Sequence, residues 1–210
     1  RRGELMKITY LGHSSFLIEG DKGRIVTDPF RDIGYDVERV DCDYCLVSHE
    51  HFDHNNTSGV NAKKVVTASG EGFVVTDSFH DPCLGGARGK NRIFSFTVDG
   101  IRCCHLGDIG EYFSSDLAEE LGEVDVLMIP VGGNYTIDAT EAVRYTEGIR
   151  PKVVIPMHYK TARSSIDIAS VDAFAKKSCG VERTGRTIVL TKETLPEDRT
   201  VYIMDADEGG

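Results

Sequence analysis

The residues best equipped for chemistry crowd into "LVSHEHFDHNN", positions 46–56, where His49, His51, Asp53 and His54 follow one another within a few positions. Imidazole nitrogens and carboxylate oxygens are the donor atoms that zinc and similar divalent cations take. In an extended segment residues two apart point the same way, so His49 and His51 can grip one cation while the chain turns to offer Asp53 and His54 to a second. Two such cations about 3.5 to 4 Å apart can share a hydroxide and direct it at a carbonyl or phosphoryl centre. Asp53 is also the candidate catalytic residue, placed to orient that hydroxide and pass a proton to the leaving group.

More ligands must converge for this to hold, because a lone buried histidine is more often a hydrogen-bonded interior residue. His80 follows "FVVTDSF", Asp108 follows "GIRCCHLG" and His158 follows "KVVIPM", so each ends a β-prone run, as the first cluster ends "YCLVS". Layered folds bind ligands at the carboxyl ends of strands, where loops from separate strands meet. His13 in "LGHSS" and His105, three residues before Asp108, read as residues that support ligands through hydrogen bonds. Asp28 suits either that role or a turn before Pro29. Arg88 and Asn91 in "GARGKNR", Asn134 and Tyr135 in "GGNYT", and Tyr159 with Lys160 beside His158 are the candidate substrate contacts, against the plainer reading of tight loops and solvated surface. Cys83, three after His80, reads as a small buried hydrophobe, with approach to the metals as the alternative.

The elements that must position these groups are strands first and alternating strands and helices later. "KITYL", "SFLIEG", "RIVTDPF", "YCLVS", "KVVTAS" and "GFVVTDSFH" are β-prone, and Asp99-Gly100 inside "IFSFTVDGIRCCHLGD" is a hairpin signal. After residue 114, "SSDLAEELGE" predicts a helix stopped near Gly122. "DATEAVRYTEG" predicts another, started by Asp138 with Glu141 three on and stopped at Gly148. "VDVLMIPVGG" and "KVVIPMHY" predict buried strands between them, and a helix over about 170–178, "TIVLT" and "TVYIMD" complete the chain. This pattern predicts one α/β domain over 1–210 built of stacked sheets flanked by helices, with residues 1–5 and 205–210 flexible.

The chain has 210 residues, 40% hydrophobic, enough for a substantial core, and no run approaches a membrane span. Its net charge of −10 without a Lys/Arg-rich stripe argues against nucleic acid as a partner and leaves a small molecule. The amino terminus lacks the pattern of a secretion signal, so cytoplasmic residence is the expectation. Neighbouring Cys103 and Cys104 suit reduced thiols, and Cys42 and Cys45 read as buried strand cysteines in preference to a zinc or redox pair.

On these motifs the chain resembles the metallo-β-lactamase superfamily, whose H-x-H-x-D-H signature stands as His49, His51, Asp53 and His54, followed in order by His80 in "SFHD", Asp108 in "HLGD" and His158 in "PMHY". The wording of "YLGHSSFLIEG", "TDPF", "HLGDIG", "PVGGNYTID" and "IPMHY" is similar to the compact branch that contains the ascorbate-6-phosphate lactonase and predicted Zn-dependent hydrolases. The resemblance implies a four-layer αββα sandwich and a hydrolase of a small, phosphorylated or plain, ester or lactone. It also implies two divalent cations, zinc first and manganese or iron as alternatives. One would be held by His49, His51 and His80, the other by Asp53, His54 and His158, with Asp108 bridging. A homo-oligomer is in keeping with that branch. The rival activities with the same ligands are a phosphodiesterase or nuclease and a mono-iron sulfur dioxygenase, with a non-catalytic metal-binding protein ranked below them.

Overall fold

The computed structural model describes residues 5–206, so the flexibility expected of 1–4 and 207–210 lies outside the described residues. The first sheet comprises β1 (Met6–Gly12), β2 (Ser15–Gly20), β3 (Gly23–Thr27), β4 (Asp41–Leu46), β5 (Asn61–Val66) and, from late in the chain, β12 (Thr187–Leu190), in the order β12-β1-β2-β3-β4-β5. The second comprises β6 (Phe73–Phe79), β7 (Lys90–Val98), β8 (Ile101–His105), β9 (Val126–Pro130), β10 (Val153–Met157), β11 (Val181–Thr184) and β13 (Thr200–Met204), in the order β11-β13-β10-β9-β8-β7-β6. Both sheets are mixed: β3-β4-β5 and β8-β9-β10-β13-β11 are parallel runs, whereas the β1-β2-β3 and β6-β7-β8 meanders are antiparallel.

Period-2 alternation explains how the first sheet is covered on both faces. Met6, Ile8, Tyr10, Phe16, Ile18 and Ile25 point into the main core shared with the second sheet. Leu11, Leu17 and Val26 point the other way, into a smaller cluster closed by Phe30, Ile33 and Val37 from the loop after β3. A 3-10 turn at Thr57–Gly59 sits in the next loop. On the second sheet β9 and β10 are buried along their whole length, the mark of a strand covered on both faces. Helices α1 (Ser115–Leu121), α2 (Ala139–Ile149) and α3 (Asp172–Lys177) lie with that sheet, and Ala142, Tyr145 and Phe174 enter its core cluster. Each fully buried side chain of this size contributes about 1.5–3 kcal/mol against leaving it in water.

The helix starts follow the sequence signals: Ser114 accepts from the Leu117 N–H and Asp138 from the Glu141 N–H. Asp99 and Gly100 both take positive φ, 48° and 73°, as the β7-β8 hairpin turn requires. One expectation needs correction. Gly148 does not stop α2: the helix runs on to Ile149 and caps at Arg150 in the left-handed conformation. Gly148 is instead a contact glycine, since a Cβ there would lie 2.0 Å from the Phe113 ring. The edge strand β11, whose polar "VERT" sequence gives no alternating signal, is an addition to the elements expected.

Strand directions then decide where the chemistry gathers. β1, β3 and β4 share one direction in the first sheet, and β6, β8, β9 and β10 share one in the second. Their carboxyl ends carry His13, Asp28, the 49–54 segment, His80, Asp108 and His158, which meet along one rim between the sheets.

Candidate metal centre

Asp108 lies where the side chains converge. Its Oδ2 is 3.0 Å from His54 Nε2, 3.1 Å from His80 Nε2, 3.2 Å from His158 Nε2 and 3.7 Å from His49 Nε2. Around it are two sets of donor atoms, each set within 4.8 Å of itself: His49, His51 and His80 on one side, and His13, Asp53, His54 and His158 on the other. All seven ligands named from the sequence are therefore brought together. His13, for which support of a ligand was preferred to stabilising a turn, stands in the second set, with Nε2 3.1 Å from Asp53 Oδ2.

The hydrogen bonds assign which ring nitrogens are free. Asp28 carries no proton to give, so its Oδ2 accepts from the Ser48 hydroxyl at 2.6 Å and from His54 Nδ1 at 2.8 Å. Having donated its only proton, the Ser48 oxygen accepts from His49 Nδ1 at 2.9 Å. One buried carboxylate thus fixes a proton on Nδ1 of both histidines and turns their Nε2 atoms toward Asp108. Asp28 is this support and not merely a turn residue. His105 is fixed separately: the Gly107 N–H donates to its Nδ1, so its Nε2–H donates to the Ser14 carbonyl, holding the loop that carries Asp108.

Backbone conformation adds to the preorganisation. His13, Asp28 and His158 all take positive φ, at 53°, 35° and 51°, a strained state for non-glycine residues that clusters at functional sites. The His13 carbonyl accepts from both Tyr10 OH and the His158 N–H, tying two of these strained turns together. Gly132 permits the close approach, because a Cβ there would stand 2.2 Å from the His158 carbonyl.

Electrostatics hold most of these groups in the states a cation needs. Burial pushes His13 down to about 4, helped by the His158 imidazole, and burial with the neighbouring His54 pushes His49 down to about 3. Burial opposes ionisation of Asp108 and Asp53, yet the surrounding imidazoles, His158 and His54 for Asp108, His54 and His13 for Asp53, hold both carboxyls well below the usual range. His54 is shifted upward against its burial by Asp108 and Asp53, so it keeps a proton that a cation must displace. The buried Nε2 atoms of His49, His54 and His158 and Oδ1 of Asp108 have no hydrogen-bond partner among the described residues. Buried polar atoms left so cost about 1–3 kcal/mol each unless something binds them. Divalent cations that take nitrogen and oxygen donors fit this set.

A cavity of about 630 Å³ opens over the centre, lined by His51, Asp53, His80 and Asp108 together with Arg88 and Tyr135. Of the six residues read as substrate contacts only these last two face it, the Arg88 guanidinium lying 5.7 Å from the Tyr135 ring centroid. Asn91 is fully buried and committed to Ser78, the Leu106 carbonyl and the Asp108 N–H, so it positions Asp108. Asn134 donates to the Asp167 carbonyl and pins the opposite wall. Tyr159 turns away toward Tyr10 and donates to Met204 O, and with Lys160 it lines a separate cavity of about 320 Å³. Cys83 is exposed and stands outside the donor sets, whereas Cys42 and Cys45 are free thiols in the smaller apolar cluster.

Sequence reasoning missed four contributors. Ser48 carried no signal beyond a small polar residue before His49. Phe52 and Ile166 line the cavity from loops whose course only the fold sets. Asp81 was legible in principle, as an acid entering a glycine-rich loop: its carboxylate accepts the N–H groups of Cys83, Gly85, Ala87 and Arg88 at 2.7–3.0 Å and so holds Arg88 beside His80.

Two facing mixed sheets with this ordered ligand set at one rim define a member of the metallo-β-lactamase superfamily, and the family model described as the beta-lactamase superfamily domain matches residues 7–158. Within it, the chain belongs to the UPF0173 metal-dependent hydrolase family. It is 31% identical over 193 residues to the member from Carboxydothermus hydrogenoformans, covering 74% of this chain and 85% of that one. It is 32% identical over 196 residues to the member from Archaeoglobus fulgidus, covering 74% and 84%. A crystal structure from Thermotoga maritima, described as a Zn-dependent hydrolase of the superfamily, superposes with a TM-score of 0.78 at 37% identity over 95% of this chain and 98% of that one.

Proposed function

We propose that this metal-dependent hydrolase works with two divalent cations, zinc in the first place, on a small ester or lactone, phosphorylated or not. The observation that carries the reading is the position of Asp108 between two histidine-rich donor sets with unpartnered nitrogens turned toward it. His49, His51 and His80 would hold one cation and Asp53, His54 and His158 the other, with Asp108 shared. Such a pair supplies Lewis acidity and lowers the pKa of bound water toward about 7.

The chain's own residues do the rest. Asp28 and Ser48 keep the His49 and His54 rings in their ligating tautomers. Asp53, ionised and at the cavity floor, is the group able to accept a proton from the nucleophile and return it to the leaving group, and His13 orients it. Arg88 and Tyr135 stand where substrate enters.

A small molecule in a reducing compartment is the setting we favour, supported by the confined cavity, the free cysteines and an overall charge unsuited to nucleic acid. No helix of the described residues is long and apolar enough to cross a membrane. The test is purification without chelator, then a screen of lactones, phosphodiesters and thioesters with the native metal retained. Chelator-sensitive hydrolysis restored by zinc is expected, with Asp53→Asn keeping metal and losing turnover. Iron together with thiol-dependent oxygen uptake would overturn it.

A further inference from the structure

Two chambers open from the same point of the metal rim, and their linings differ in kind. The larger one has Phe52, Tyr135 and Ile166 in its wall. Phe52 and Tyr135 are 50% and 40% exposed, two of the few large apolar side chains left open to solvent among the described residues. The second chamber, of about 390 Å³, shares His51 and Arg88 with the first and adds His49, Lys90 and Arg92 with the acids Glu50 and Asp77.

The cations of the second chamber are not equivalent. Arg92 is engaged by the Glu50 carboxylate and by the Val47 and Ser48 carbonyls, and Asp77 is its cross-strand neighbour. Arg88 and Lys90 have no carboxylate partner among the described residues. Three cations, Arg88, Lys90 and Arg92, stand there against two acids, Glu50 and Asp77, a local positive excess in a chain of net charge −10. Asp81 accepts four backbone N–H bonds of the loop that carries Arg88, which fixes where this side chain leaves the backbone, and its guanidinium lies against the Tyr135 ring. Acids stand on the other wall, where Asp32 and Asp167 would repel a negative group and so favour one orientation.

We infer that the substrate is an amphiphile, an ester whose anionic group, phosphate or carboxylate, binds Arg88 and Lys90 while its aliphatic or aromatic group lies against Phe52, Tyr135 and Ile166. The scissile bond then spans the rim between the chambers, over His51. Water adds across the ester C–O or P–O bond, the acid leaves with the hydroxyl and the alcohol with the proton. This rests on the hydrolase reading for its chemistry and on the two linings alone for its specificity.

Calorimetric titration of the metal-loaded protein tests it with octylphosphonate, methylphosphonate, octanoate and 1-octanol, none of which carries an ester bond. Octylphosphonate or octanoate is expected to bind at least tenfold more tightly than methylphosphonate and 1-octanol, and the tighter of the two identifies the anion. Arg88→Ala combined with Lys90→Ala, at one half-buried and one exposed side chain, should weaken the anionic amphiphile at least tenfold and leave 1-octanol unchanged. Phe52→Ser should weaken both octyl anions and leave methylphosphonate unchanged. Equal affinity for octyl- and methylphosphonate, or a double variant that binds as tightly as the parent, overturns the inference. Chelator-sensitive hydrolysis of p-nitrophenyl acetate reports separately on the hydrolase reading. Its presence without amphiphile preference removes the inference alone, and its absence with the predicted binding removes only the hydrolysis.

Discussion

Asp28→Asn isolates the one residue that governs two ligand tautomers. Asparagine tolerates the left-handed backbone that Asp28 adopts at φ 35° and keeps its volume, so the change is confined to charge and hydrogen bonding. The native carboxylate accepts three bonds, from the Ser48 N–H, the Ser48 hydroxyl and His54 Nδ1. If the amide nitrogen faces the last two, both are lost; if it faces the first, two donors oppose each other there. In the first orientation the His49 and His54 rings lose their fixed protons on Nδ1, in the second the Ser48 N–H is left opposed, and in both a negative charge beside the candidate metal site disappears. Substitutions at such positions cost about 10–100-fold in metal affinity, or about 1.4–2.7 kcal/mol. Competition with a chromophoric chelator measures the affinity, and nitrogen-detected histidine spectra read the tautomers directly. A folded variant that binds metal within twofold of the parent, with both Nδ1 protons retained, would refute the relay.

Asn91→Ala leaves the buried Asp108 N–H unpaired, so stability should fall by about 1–3 kcal/mol and metal affinity with it; a raised KM with unchanged denaturation would instead return Asn91 to the substrate. Gly148→Ala gains about 1 kcal/mol of helix propensity but forces the Phe113 ring aside at a cost of about 1–3 kcal/mol, a net loss on the order of 1 kcal/mol. A urea midpoint higher than the parent's would contradict that. Stability of the metal-free protein should peak near pH 6.5. Burial holds His13 and His49 down at about 4 and about 3, so below the ordinary value of 6.5 the unfolded chain takes protons that the folded chain refuses, and stability declines with acid. His54 and His80, buried yet shifted upward by Asp108, lose their stabilising contribution as the pH rises through their elevated folded values. Bound metal displaces those protons, so the alkaline decline should vanish in the loaded protein, and denaturant midpoints across the range check both limbs.

The gathering of the candidate ligands at one rim was legible because imidazoles and carboxylates at the ends of apolar β-runs have few other reasons to be there. Asp138 and Asp99-Gly100 were legible for a local reason, since caps and tight turns are decided within four residues. Gly148 misled because its meaning comes from Phe113, thirty-five positions earlier, and a glycine signals freedom without saying whether a turn or a neighbour needs it. Tyr159 and Lys160 follow His158 directly, but the chain leaves β10 at Met157 and carries both into a separate cavity, while Asn91 on β7 turns inward to the Asp108 N–H. The cavity walls at Phe52 and Ile166 come from loops whose course is set by packing that no local pattern records.

Anomalous diffraction from crystals of metal-loaded protein tests the binuclear centre most directly. Two peaks about 3.5–4 Å apart are predicted, one among His49, His51 and His80 and the other beside Asp53, His54 and His158, with Asp108 between them. A single peak at saturating metal, or peaks away from Asp108, would contradict the account.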